Sequence, residues 1–433
     1  MIIRRDIYLK KLISFMGDGQ VKVITGIRRC GKSYLLNILF RNYLLEQGVP
    51  ENRILSYELD LAKDIRFRNP LELASSVRKQ TENQPEQFYL FVDEIQMSDE
   101  VPNPYNPNGK PITFYDALND LKSIHNLDIY VTGSNSRMLS SDILTEFRGR
   151  SDEIRMHPLS FREYYAATGG NEEDAFDAYA FYGGMPLILS RPDETAKMEY
   201  LKSLFSEVYL KDIVERKKIR REDVLSAIID LLCSSVGSLT NPNNIANALN
   251  SRQKRNGEDT VAPNTVKAYM DHLLDAYLFE ECRRYDVKGK DYFDYPNKYY
   301  CDDLGLRNAR LGFRQQEMTH LMENILYNDL RIRGCEVDIG IVWSTEKNKS
   351  GNKVQVPREI DFVASRGGRK TYIQSAYALE TEEKVITENK PLGLTGDMFP
   401  KMIVRRDVRK RWYDDHGVLN IGILDFLLDE MLV

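Results

Sequence analysis

The sequence predicts an α/β protein: a parallel sheet covered by helices, then a helical region, then a mixed α+β part. Three observations carry that expectation. Residues 1 to about 155 alternate strand-like and helix-like segments, at 21–25, 33–47, 53–58, 70–82, 88–93, 112–124, 127–132, 138–147 and 153–157. Such alternation builds a parallel sheet whose ligand sits at the carboxyl ends of the strands. From about 160 to 285 the apolar spacing turns helical, and beyond about 291 strand-like runs return, mixed with helix.

The first strand, Val21-Lys22-Val23-Ile24-Thr25, is β-branched and runs directly into Gly26-Ile27-Arg28-Arg29-Cys30-Gly31-Lys32-Ser33. That octet matches G-x-x-x-x-G-K-[ST], a loop whose backbone N–H groups cradle phosphates at a helix N-terminus. Lys32 would reach the β and γ phosphates of ATP, and the Ser33 hydroxyl would hold Mg²⁺. The residues expected to contact the nucleotide are Gly26, Ile27, Arg28, Arg29, Cys30, Gly31, Lys32, Ser33 and Tyr34. The helix they open continues to about Gln47, where Gly48 and Pro50 stop it. The bland alternative is a glycine turn that holds no ligand.

A phosphate loop needs carboxylates on another strand tip. Phe88-Tyr89-Leu90-Phe91-Val92 ends in Asp93-Glu94. Asp93 is expected to bind Mg²⁺ and Glu94 to act as general base toward the attacking water. Gln96 is either a polar relay or plain loop. Asp128-Ile129-Tyr130-Val131-Thr132 is the next strand, and Asn135 beyond its tip would touch the γ phosphate or the water; the alternative is an Asn/Ser-rich turn. Arg148 and Arg150 would stabilise transition-state charge, or else form a solvated helix end. Between these elements, Ser98 to Gly109 holds three prolines and two Asn-Pro steps, the composition of a long loop acting as lid or partner contact.

Bulk properties narrow the class. The chain has 433 residues, 42% of them hydrophobic, which suits several soluble domains. A net charge of −5 does not mark a general nucleic-acid binder, so any basic surface must be local. Cys30, Cys233, Cys282, Cys301 and Cys335 form no C-x-x-C pair and read as reduced thiols. No apolar run is long enough to span a bilayer and no signal-peptide core stands at the start, so a cytoplasmic location without a membrane partner is expected.

Downstream, Glu172 to Tyr182 reads as a helix broken by Gly183-Gly184-Met185-Pro186, and a second helix runs from Asp193 toward the basic stretch at Lys218. Residues 222 to about 285 have the spacing of a small winged helix, with 265–274 as the helix that DNA would meet. A protein contact is an equal reading there, because Lys267 and His272 are its only cations, with Arg252, Lys254 and Arg255 in the preceding loop. In the last part, Glu323 on a helix and Asp361 on a strand fit a metal-dependent nuclease. The next strand, however, reads Gln374-Ser375-Ala376 where that chemistry wants Glu-x-Lys. An inactive relic is therefore expected. The run Arg405, Arg406, Arg409, Lys410, Arg411 is either a nucleic-acid patch or a salt-bridged surface.

These pieces together resemble the prokaryotic AAA-type P-loop ATPases that carry a C-terminal domain of unknown function. The matching stretches are the octet, Val92-Asp93-Glu94-Ile95-Gln96, Thr132-Gly133-Ser134-Asn135-Ser136, Phe147-Arg148-Gly149-Arg150, His157-Pro158-Leu159-Ser160-Phe161-Arg162-Glu163-Tyr164, Tyr182-Gly183-Gly184-Met185-Pro186, Met322-Glu323-Asn324 and Glu359-Ile360-Asp361-Phe362. The resemblance implies an AAA-type ATPase domain at 1–158, a helical lid at 159–221, a winged helix at 222–290 and a restriction-endonuclease-like domain at 291–433. It also puts Asn135 at the sensor-one position. The function expected is Mg²⁺-dependent ATP hydrolysis driving a switch or motor. The alternatives are an ATP-regulated DNA-binding protein and a defence-type nuclease. DNA, a protein partner and self-assembly are the candidate interactions.

Overall fold

A computed structural model describes residues 3–82, 84–133, 151–256, 260–348, 350–379, 381–429 and 432. The chain divides into two compact units, Met1–His157 with Asp275–Tyr277, and Pro158–Leu274 with Leu278–Val433.

The first unit is built on five parallel strands: β1 Val21–Thr25, β2 Ile54–Glu58, β3 Phe88–Asp93, β4 Leu127–Thr132 and β5 Ser151–Arg155. Their order is β2-β3-β4-β1-β5. Strands β1, β3 and β4 are buried along their whole length, as runs lacking polar alternation should be. Lys22 is the exception inside β1. Its ammonium is neutralised by Asp128 at 2.6 Å and Asp18 at 2.5 Å. One sheet face packs on the helices Pro70–Thr81 and Phe114–Leu121 through Leu73, Val77, Leu118 and Leu121. Asn69 caps the first of these with Pro70 at its start, and a Thr113–Asp116 capping box opens the second. Phe40 lies 4.7 Å from the Tyr130 ring and 5.7 Å from Phe91. It belongs to the helical stretch that begins at Lys32–Tyr34, takes a π turn over Leu35–Phe40 and ends as Arg41–Glu46. The Pro-rich loop is closed at its base by a Val101–Ile112 bridge, and Tyr105 on it is 96% exposed.

The second unit starts with the helices Phe161–Thr168, Glu172–Tyr182 and Glu194–Ser203, the last continuing through a π turn into Lys211–Lys217. The break after Tyr182 has a clear cause. A Cβ at Gly183 would lie 2.4 Å from Asp303 Oδ1, and one at Gly184 would lie 2.2 Å from the Leu159 carbonyl. Asp303 accepts the Gly184 N–H at 2.7 Å and the Leu306 N–H at 2.9 Å, so this carboxylate ties two distant turns together.

Helices Glu222–Ser234, Pro242–Asn256 and Pro263–Asp275 follow. Arg252, Lys254 and Arg255 thus belong to the backbone of a helix, not to the loop the sequence suggests. Strands β6 Phe279–Cys282 and β8 Lys298–Cys301 pair antiparallel, and β7 Arg284–Asp286 lies between them in sequence. The remaining strands are β9 Glu336–Lys347, β10 Lys353–Arg366, β11 Arg369–Ala376, β12 Lys401–Arg405, β13 Trp412–Tyr413 and β14 Leu419–Gly422. With β7 they form a mixed sheet ordered β13-β14-β12-β11-β10-β9-β7. Helices Met318–Ile332 and Glu382–Gly393 accompany it.

Candidate nucleotide site

The turn after β1 is possible only for glycine. Gly26 sits at φ +137°, and a Cβ there would lie 2.0 Å from the Met156 carbonyl oxygen. Arg29 at φ 63° and Gly31 at φ 104° complete the curl, and the helix starts at Lys32. Lys32 is 3% exposed, its Nζ donating to the carbonyls of Gly26 at 3.0 Å and Ile27 at 3.1 Å. The ammonium therefore lies inside the loop. Ile27 and Cys30 are buried, and the Cys30 thiol donates to the Met156 carbonyl at 3.5 Å, which makes it a packing group. Arg29 is exposed, Arg28 half-buried, and Ser33 and Tyr34 are partly exposed.

The tips of β1, β3 and β4 end level, because Ile24 pairs with Thr132 and Val92 with Val131. Asp93 is thereby brought close to Ser33 and Lys32. Thr132 Oγ1 donates to the Asp93 carboxylate and accepts the Glu94 N–H at 3.1 Å. Burial pushes the Asp93 carboxyl above its ordinary range, while the Thr132 bond and the nearby Ser33 hydroxyl pull it back. Glu94 leaves the strand in a left-handed conformation, φ 53° and ψ 51°, and Gln96 donates its amide to the Glu94 carboxylate. Thus Lys32, Ser33, Asp93 and Glu94 meet at one sheet edge. Thr132, which sequence reasoning did not single out, joins the two acids. Asn135, Arg148 and Arg150 lie outside the described residues.

The second unit holds another charged cluster. Lys298 of β8 is 5% exposed, and its Nζ lies 2.9 Å from Glu323, 2.7 Å from Glu359 and 3.8 Å from Asp361. Burial works against the ammonium, but Glu323, Asp361 and Glu359 hold it charged. Asp361 is raised by burial and by the Glu323 charge, although it accepts the Ser375 N–H at 2.8 Å. Tyr300 donates to Glu323 at 2.6 Å. Gln374 accepts the Asp361 N–H at 2.8 Å and donates to Glu388 at 2.7 Å. Glu323 and Asp361 are brought together as the sequence suggested. Lys298 was missed, and no spacing pattern points to it; Glu359 stood in a matching stretch but was given no role.

Most of the late basic run is neutralised. Arg405 pairs with Asp407 at 2.8 Å, Arg406 with Glu173 and with Asp177 at 3.3 Å, and Arg411 with Asp429 at 3.3 Å. Arg221, three residues after Lys218 in the other basic stretch, pairs with Asp223 at 2.8 Å. None of the five cysteines forms a disulfide, and all are buried. No helix among the described residues is long and apolar enough to cross a membrane.

A parallel sheet with a glycine-shaped phosphate loop after β1 and acids at the tip of β3, one strand further along the sheet, is the architecture of a P-loop nucleotide-binding domain. The family model described as AAA domain matches residues 18–165, and a model described as domain of unknown function (DUF8612) matches residues 173–317. An uncharacterized protein of Haemophilus influenzae is 30% identical over 437 residues, covering 99% of each chain, and this chain belongs to its family. An uncharacterized protein of Methanocaldococcus jannaschii is 27% identical over 399 residues, 88% of this chain and 79% of that one. Among solved structures, the Aeropyrum pernix ORC1 protein in complex with DNA is similar at TM-score 0.30 and 13% identity, over 72% of this chain and 93% of that one. Cdc6p from Pyrobaculum aerophilum is similar at TM-score 0.29 and 13% identity, over 75% and 96%. Scores that low carry no argument about this chain.

Proposed function

We propose that this protein binds ATP with Mg²⁺ and hydrolyses it to drive a conformational switch or motor in the cytoplasm. The observation that carries the reading is the glycine-shaped phosphate loop with its buried Lys32, beside which β3 sets Asp93 close to Ser33 and Lys32, with Glu94 one residue on. A hydroxyl and a carboxylate are the hard oxygen donors that Mg²⁺ takes, so the residues fit the ion. When bound, Mg²⁺ would neutralise charge on the β and γ phosphates. The loop N–H groups and Lys32 hold the phosphates, with the Lys32 ammonium exchanging two loop carbonyls for phosphate oxygens. Glu94 takes the proton of the attacking water, and Gln96 fixes its carboxylate. Asn135 is assigned to the γ phosphate, and Arg148 and Arg150 to transition-state charge. Lys32→Ala should abolish Mg²⁺-dependent phosphate release; unchanged turnover in that variant would sink the reading.

The domains we propose are an ATPase at 1–158, a lid at 159–221, a winged helix at 222–290 and a nuclease-like domain at 291–433. Three helices followed by the β6–β8 pair, with Thr240 bridged to Asn297, support the winged helix. That pattern favours a second reading, an ATP-regulated DNA-binding protein. Salt-sensitive gel shifts with duplex DNA would support it, and the absence of any shift at low salt, with or without ATP, would remove it. The nuclease-like domain is assigned no cleavage activity. Its three carboxylates already share the Lys298 ammonium, so they do not suit Mg²⁺. Plasmid cleavage lost on Asp361→Ala would reverse that assignment.

A further inference from the structure

We infer that Arg5 is a positioning residue of the phosphate loop, one that aims the Gly31 N–H at the nucleotide's phosphates; the inference rests on the ATP-binding reading above. Arg5 precedes the helix Asp6–Ser14 and is 2% exposed. Its Nη1 donates to the Cys30 carbonyl at 3.1 Å and its Nη2 to the His157 carbonyl at 2.6 Å. The guanidinium lies over the Tyr8 ring, 4.8 Å from its centroid. The Tyr8 hydroxyl in turn accepts the His157 N–H at 3.1 Å.

The geometry gives this clamp a direction. A trans peptide unit is planar, so its C=O and N–H point opposite ways. Holding the Cys30 carbonyl outward against Arg5 turns the next N–H, that of Gly31, toward the inside of the curl. That interior is where Lys32 lies and where a P-loop gathers its phosphates. The loop backbone at Arg29 stands at positive φ, so an outside restraint has strained geometry to hold. A second tie comes from the same segment, where the Ile3 N–H donates to the Tyr34 hydroxyl at 3.2 Å. A guanidinium forks to two acceptors that an ammonium cannot span, and its fixed charge adds to the positive field behind the loop.

The test is calorimetric titration of the full chain with ADP at a temperature where each variant is folded by circular dichroism, together with ATPase kinetics. Arg5→Met keeps the packing and removes both donors. It should bind ADP about tenfold or more weakly, the cost of a lost charged hydrogen bond. KM for ATP should rise by a similar factor, with a smaller loss in kcat, and Arg5→Lys should fall between the two. A merely structural role would lower the melting temperature and leave the affinity of the folded protein unchanged, and that outcome overturns the proposal. Should Arg5→Met not fold, Arg5→Lys carries the test, and wild-type affinity in it is overturning too. A wild-type chain that binds neither ADP nor ATP overturns the ATP-binding reading itself, and the clamp with it.

Discussion

Glu94 stands where a strand ends and the backbone turns left-handed. The two acids can do different work: Asp93 is bonded to Thr132 and lies close to Ser33, while Glu94 is bonded to Gln96. Glu94→Gln should keep ATP affinity but hydrolyse it about 10²–10⁴-fold more slowly, the usual worth of a general base. Equal single-turnover rates in variant and wild type would show that Glu94 is not the base. Both acids were legible in the sequence because they directly follow an apolar run of strand length. Arg5 was not. Its partners lie 25 and 152 residues away, at Cys30 and His157, and no local pattern encodes a bond of that span.

At the scale of elements, the strand–loop–helix unit over residues 21–46 depends on one missing side chain. A methyl at Gly26 would collide with the Met156 carbonyl, and the φ of +137° is closed to other residues. Gly26→Ala should cost about 2–5 kcal/mol in urea unfolding, from strain and overpacking together. A loss under about 0.5 kcal/mol, the range of a neutral surface change, would mean the loop relaxes around the methyl. The strands of the first unit were readable from their apolar runs and turn residues. In the second unit, Glu172–Tyr182 was equally clear from its closing glycines, and the structure adds an Asn171 cap. By contrast β8, the short strand bearing Lys298, carried no expectation of its own. Its polar first residue is buried only because acids from a helix and from β10 surround it.

For the molecule as a whole, buried charge shapes the response to pH and to mutation. Burial pushes the Asp303 carboxyl up to about 7, against the backbone donors that favour its charged form. The folded chain therefore holds a proton there that the unfolded chain releases near pH 4. Between about pH 4 and 7 this group's contribution to stability falls as pH rises, and above 7 it is constant. Asp303→Asn should flatten the melting temperature over that window. A slope equal to wild type would place the titration elsewhere. Lys298→Met should destabilise the fold by about 3–5 kcal/mol, because it leaves three carboxylates without a counter-charge. Chemical denaturation that shows less than about 1 kcal/mol would mean the acids are screened by water.

Lys298 also sorts the two units by their answer to a chelator. A cation tethered to the chain cannot be stripped by EDTA, exchanged for manganese or diluted away. Metal removal should thus silence ATP turnover and leave the heat-unfolding of the carboxylate cluster where it was. An unfolding transition that moved with chelation would show that a diffusible ion, and not the tethered ammonium, holds those acids together.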